Sequence, residues 1–144
     1  MVRNLRIIPD IVEAQSLVML APDETVAAAA QIMAERRLGA VMVVKAKKLV
    51  GIFTERDMVL RVVAAGLNPT KTKLAAVMTA NPDTLAPDDF AREALDRMAT
   101  KGYRHLPVVE NGRPVGMVSV RDLYAIVVDR MEFGIVRMAE RLLG

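Results

Sequence analysis

The sequence predicts an α/β (α+β) fold in which two tandem β-α-β-β-α units pack as one pseudo-two-fold symmetric module. Three observations carry this expectation. An internal repeat holds its register over most of the chain, each half shows the same order of helix and strand patterns, and each half joins a strand to a helix through a similar polar segment. With 53% hydrophobic and 26% charged residues in 144, the chain has the composition of a cored globular protein and not of a disordered one.

The repeat is the most informative feature. Leu20-Ala21-Pro22-Asp23 recurs as Leu85-Ala86-Pro87-Asp88. At the same offset Ala29, Met33 and Ala34 return as Ala94, Met98 and Ala99, and Val43-Val44 returns as Val108-Val109. Val50-Gly51 returns as Val115-Gly116 and Arg56-Asp57 as Arg121-Asp122. The register never slips between Leu20 and Asp122, so the chain is read as a duplication.

Each half then divides in the same way. Asp23 or Asp88 is placed to cap a helix that continues through Val26, Ala30 and Met33, or through Ala91, Leu95 and Met98, with one apolar face toward a core. Two short strands follow, 41–45 with 49–53 in the first half and 106–110 with 114–118 in the second. Their β-branched content and the links Ala46-Lys47-Lys48 and Asn111-Gly112-Arg113 predict hairpins. A second helix starts at Thr54 or Ser119. Neither unit of about fifty residues buries much apolar surface alone, so the two are expected to pack sheet to sheet. The organisation expected is an N-terminal segment 1–15, a first unit 16–68, a linker 69–77, a second unit 78–130 and a C-terminal helical tail 131–144. In the tail Ile135, Met138 and Leu142 fall at helical spacing, which suits packing on the module or a contact between two copies.

Composition removes much familiar chemistry. Without Cys there is no disulfide, thiol nucleophile or thiolate metal site, and with His105 as the one histidine no multi-imidazole zinc site forms within a chain. No nucleophile-elbow or Walker-type phosphate loop is present. No run approaches the roughly eighteen apolar residues of a membrane span, and the start lacks a secretion signal, so the cytoplasm is the expected location. The net charge of +3 suits an anionic ligand or simply a solvated basic surface. At 3% aromatic residues no base-stacking platform is visible, and nucleic acid is not an expected partner.

The polar junctions are Gly51-Ile52-Phe53-Thr54-Glu55-Arg56-Asp57 and Gly116-Met117-Val118-Ser119-Val120-Arg121-Asp122. One reading is a capping box, in which the hydroxyl and the acid three residues later satisfy amides at the helix start. The other is a nucleotide site: the helix N-terminus and the Thr54 or Ser119 hydroxyl suit a phosphate, Asp57 or Asp122 accepts from a ribose diol, and Arg56 or Arg121 pairs with phosphate oxygens. The two readings are compatible.

Paired β-α-β-β-α units with Gly-x-x-Thr/Ser-x-x-Asp at each strand-helix junction resemble a pair of cystathionine-β-synthase (CBS) domains. Tyr103-Arg104-His105-Leu106-Pro107-Val108-Val109 is similar to the strand that precedes that junction in the family, and the resemblance spans about 16–130. It implies a non-enzymatic regulatory module that binds AMP, ADP or ATP, or in some members NAD or S-adenosylmethionine, in two clefts between the repeats. In the first cleft it implies Asp57 on ribose, Thr54 on phosphate and Ile52 beside adenine. Pro82 and Asp83 would approach adenine through the backbone, with Tyr103, Arg104 and His105 closing the cleft and Arg121 reaching across. In the second it implies Asp122 and Ser119 beside Met117, Val18 and Met19 bordering adenine, Leu38 and Gly39 opposite, and Arg56 crossing over. Gly39 and Ala40 stand where the other half has Arg104 and His105, so the Asp57 cleft is expected to favour the more phosphorylated ligand. The alternative for Arg104 and His105 is a solvated strand start, the less favoured of the two. Met42 departs from the family by standing where the second half has Pro107. The resemblance also implies a homodimer, with the helix 123–128 and the tail as the contact, and a separate, unidentified protein target. The competing class is a ligand-independent interaction scaffold.

Overall fold

The computed structural model of the chain describes residues 4–12 and 17–143. The boundary expected between residues 15 and 16 and the last residue, Gly144, lie outside the described residues.

In the first half, strand β1 (Met19–Leu20) precedes helix α1 (Val26–Arg36), hairpin β2 (Ala40–Lys45) and β3 (Lys48–Thr54), and a short helix α2 (Glu55–Asp57) that widens into a π-helical segment, Met58–Val63. Helix α3 (Leu74–Val77) and strand β4 (Thr79–Ala80) lead to the second half: α4 (Ala91–Lys101), β5 (His105–Glu110), β6 (Arg113–Ser119) and the long α5 (Val120–Leu143). Strands β1 to β4 form one sheet in chain order, with β1 parallel to β2 and the other neighbours antiparallel. Strands β5 and β6 form a second antiparallel pair, joined by a parallel bridge from Leu85 to Val108 that matches β1.

The hairpins turn as the sequence requires. Ala46 and Lys47 have φ of 51° and 66°, and Asn111 and Gly112 have 53° and 78°, the left-handed pair that suits the twist of flanking strands. Both ladders slip once at the same place, between Val43 and Val44 and between Val108 and Val109. Met42 pairs with Ile52 as Pro107 pairs with Met117, so the missing proline leaves the register unchanged. The tips of the two hairpins meet, with the Leu49 amide donating to the Gly112 carbonyl at 3.0 Å, and β3 lies against β6.

The helix starts differ from expectation. Thr25, not Asp23, caps α1, its hydroxyl accepting from the Ala28 amide at 3.1 Å. Helix α4 begins after Phe90 with no side-chain cap; Asp89, next to the expected Asp88, instead accepts from the Ala86 amide at 2.8 Å in the preceding turn. The reason is that backbone from elsewhere occupies both helix starts. The Val26 amide donates to the Thr72 carbonyl at 2.9 Å, and the Ala91 amide donates to Leu5 at 2.7 Å. Ala30 is only half-buried, and Val26, Ala29 and Met33 make the apolar face of α1.

These contacts belong to a reciprocal clasp. The amides of Ile7 and Ile8 donate to the carbonyls of Asp89 and Pro87, and the amides of Leu74 and Ala75 donate to those of Glu24 and Pro22. The segment ahead of each unit is thus fastened to the other unit. Its apolar side chains follow: Ile7 and Val12 lie in a core with Leu85, Ala91, Leu106 and Leu123, while Leu74 and Val77 lie in a core with Val26, Val43, Phe53 and Val62. The expected N-terminal segment and linker therefore each complete a core. Helix α5 runs without a break past residue 130, where a separate tail was expected to start.

Ile7 has no exposed surface. Ile7→Ala is expected to cost about 2–5 kcal/mol in equilibrium urea unfolding, as for other truncated core aliphatics. A loss under about 0.5 kcal/mol, typical of a surface position, would show the clasp to be peripheral.

Candidate functional site

A cavity of about 750 Å³ opens between the two halves, within the size range of small-molecule sites. Both polar junctions face it. In the first, the Asp57 amide donates to Thr54 Oγ1 and the Thr54 amide donates to Asp57 Oδ2, each at 3.1 Å. In the second, the Asp122 amide donates to Ser119 Oγ at 3.1 Å and the Ser119 amide to Asp122 Oδ2 at 2.8 Å. Both are capping boxes, as the first reading of the junctions proposed. Thr54, Ser119, Asp57 and Asp122 also line the cavity, so the capping geometry does not remove them from a ligand's reach. Each hydroxyl accepts in the cap and still has its own proton to donate.

The cavity gathers nearly all the residues singled out in the sequence. Ile52, Pro82, Asp83, Tyr103, Arg104 and His105 line it from the first set, and Val18, Leu38, Gly39 and Met117 from the second. Arg56 and Arg121, expected to cross between clefts, both border it. Met19 does not: it is 48% exposed on β1 and lines a separate shallow pocket with Lys47 and Arg113. The two expected clefts are one continuous space.

The walls are unequal. On the side of Tyr103, the tyrosine hydroxyl donates to Asp83 Oδ2 at 2.9 Å, and Lys101 Nζ stands 3.6 Å from the same oxygen. That hydrogen bond holds the Asp83 carboxyl below its usual range and pushes the Tyr103 phenol up. The repeat puts Val18 and Leu38 at the corresponding positions, and these cannot form such a pair. A backbone difference accompanies it. The Met42 amide donates to the Val18 carbonyl at 3.4 Å, whereas Pro107 has no N–H to offer Asp83.

His105 lies across Gly39. A methyl group on Gly39 would sit 2.9 Å from His105 Cε1 and 3.2 Å from Nε2, so the bare backbone is what admits the imidazole. Burial holds the His105 pKa below its ordinary 6.5; the carboxylates of Glu55 and Asp122 oppose that shift, and Arg104 and Arg121 reinforce it.

Sequence reasoning missed several wall residues. Arg61 Nε stands 3.6 Å from Asp57 Oδ1, and the Thr79 hydroxyl donates to the same oxygen at 3.3 Å. Arg61 follows Asp57 by one helical turn, a spacing that could have flagged it. Thr79 comes from β4, across the linker, and carries no local signal. Glu55 and Lys101 also line the cavity.

Two α/β repeats closing on a shared cavity define a class, the tandem-repeat module with its site at the seam. The profile of the CBS domain matches residues 10–64 and 74–129, and the chain belongs to the CBS-domain family. Paired CBS domains commonly serve as regulatory modules for adenosine ligands. A CBS domain-containing protein of Arabidopsis thaliana is 40% identical over 109 residues, covering 75% of this chain and 20% of that protein. The chain thus spans about a fifth of the length of the plant relatives it matches. An uncharacterized 17.7 kDa protein of Acidianus ambivalens is 37% identical over 127 residues, covering 85% and 74%. Among solved structures, a CBS domain protein from Pyrobaculum aerophilum complexed with AMP is 28% identical with a TM-score of 0.76, covering 87% of this chain and 97% of that one.

A histidine whose folded pKa lies below its unfolded value binds fewer protons when folded, so stability rises with pH between the two values. For His105 that stability is present above about 6.5 and is lost as the pH falls below it. The melting point of the wild type is expected to drop more between pH 7 and pH 5 than that of His105→Gln. Parallel curves for the two proteins would show that His105 titrates as an ordinary exposed imidazole.

Proposed function

We propose that this chain is an adenine-nucleotide sensor: AMP, ADP or ATP binds in the cavity between the repeats and changes their packing, and a dimer mate or a separate protein reads the change. The observation that carries the reading is the convergence of two Thr/Ser–Asp junctions with Arg56, Arg104 and Arg121 on one cavity. Phosphate donors beside ribose acceptors suit a nucleotide better than free phosphate. The AMP bound by the Pyrobaculum relative supports the same ligand class. NAD and S-adenosylmethionine share the adenosyl group and are the further candidates.

The side walled by Tyr103, Arg104 and His105 is the primary half-site. It holds the greater positive charge, and Pro107 leaves the Asp83 carbonyl unclaimed by its strand; among the described residues no backbone amide takes it, so it can accept from an adenine amino group. There Asp57 takes ribose, Thr54 and Arg121 take phosphate, and Ile52 lies beside the base. The other half-site, with Asp122, Ser119, Met117, Val18 and Leu38, suits a less phosphorylated adenosyl group. The module regulates and does not catalyse, acting in the cytoplasm as a homodimer. Exposed Val59, Leu60, Val63, Tyr124 and Val128 supply apolar surface for the dimer.

A second reading is a ligand-independent scaffold, favoured by the two formed capping boxes. A thermal-shift panel with AMP, ADP, ATP, NAD, NADH and S-adenosylmethionine separates the two. At a hundred times the dissociation constant one ligand adds about 2.7 kcal/mol, raising the melting point of a chain this size by roughly 5–10 °C. Asp57→Ala and Asp122→Ala are expected to lose the shift, with a stability cost of about 1 kcal/mol per cap. No shift from any of the six at millimolar concentration would leave the scaffold.

A further inference from the structure

Helix α5 outruns the body it starts on. Leu123 is fully buried, yet from Val128 to the end of the helix every described side chain is exposed. A helical segment of this length whose described side chains are all exposed is marginal in water, and Gly134 in its middle weakens it by about 1 kcal/mol relative to alanine. Something must cover it.

The exposed apolar residues say what shape the cover has. Tyr124, Val128, Met131, Ile135, Met138 and Leu142 are 50–80% exposed. Their spacing alternates four, three, four, three, four along the chain, the a/d pattern of a coiled-coil seam, which lines them along one face of the helix; Val136 and Leu143, also exposed, lie off that seam. Small residues flank the seam: Ala125 and Ala139 on one side and Gly134 on the other, which lets a second helix come close.

Charge and area identify that helix. Asp129, Glu132 and Glu140 balance Arg130, Arg137 and Arg141, so the segment has no net charge to draw it to an anionic membrane or a nucleic acid. The alternation reads the same from either end, so the seam matches its own copy layer for layer in either direction. Covering six such side chains removes on the order of 100 Å² each, about 1,200 Å² for a pair of chains, which reaches the lower edge of specific interfaces.

We infer that the projecting part of α5 forms a two-stranded coiled coil with the same helix of a second copy of this chain. This rests on the homodimer of the preceding reading and adds the seam that holds it; it does not depend on the nucleotide.

The chain has no cysteine, so engineered thiols report unambiguously. Ile135→Cys alone would crosslink in a parallel pair, and Met131→Cys mixed with Ile135→Cys in an antiparallel one. Glu140→Cys, on the opposite face of the helix, is the control. With mild oxidant and no nucleotide, one of the first two arrangements is expected to convert most chains to disulfide dimers while the control stays largely monomeric on non-reducing gels. Sedimentation is expected to show a dimer for the wild type, and Ile135→Lys with Met138→Lys to weaken it by at least about tenfold. Both lysines are at exposed positions, so far-ultraviolet circular dichroism of the body should persist. A wild-type dimer in which neither arrangement crosslinks above the control overturns this inference and leaves the homodimer standing. A monomeric wild type overturns both.

Discussion

Neither half of this chain can close its own core. The sheet of the first unit needs Leu74 and Val77 over one end, and the second unit needs Ile7 and Val12; each pair is delivered by the segment that precedes the other unit. The same backbone bonds recur on both sides, from Ile7 and Ile8 to Asp89 and Pro87, and from Leu74 and Ala75 to Glu24 and Pro22. Because buried aliphatic side chains contribute kilocalories each while a folded domain is stable by only about 5–15 kcal/mol, the two units stand or fall together. The pseudo-symmetry is a consequence of this exchange as much as of the duplicated sequence.

The cavity follows from the same constraint. Two units fastened end to end, with hairpin tips touching at Leu49 and Gly112, bring their strand-helix junctions to opposite walls of one space. The capping boxes fix those junctions. A carboxylate that accepts the amide of its own cap residue cannot swing away, so Asp57 and Asp122 are held in place at the cavity wall. Capping and ligand binding thus use one geometry.

Divergence between the halves has made the walls chemically different while leaving the backbone alike. Tyr103 and Asp83 form a hydrogen bond where the other half has Leu38 and Val18, and the His105 imidazole rests on Gly39 because that position has no side chain. A glycine in one repeat therefore serves a histidine in the other. Register in both ladders is the same to the slip, although one strand carries Met42 and the other Pro107.

Much of this was legible in the sequence by itself. Constant spacing between matching residues determined the duplication, β-branched runs around turn residues determined both hairpins, and a hydroxyl residue three positions ahead of an acid determined both helix junctions. These are local patterns, governed by side chains a few residues apart. The tertiary structure alone decided which unit each connecting segment completes, since the clasp lies outside the repeat and joins residues far apart in the chain. It decided that Thr25 caps α1, because a bond from Val26 to Thr72 fixes where that helix begins. It merged two clefts into one cavity, brought Thr79 to Asp57 from a strand beyond the linker, and left Met19 outside. Apolar spacing in the last helix was visible from the start; that no described part of the body covers it is a matter of exposure, which only the folded chain determines.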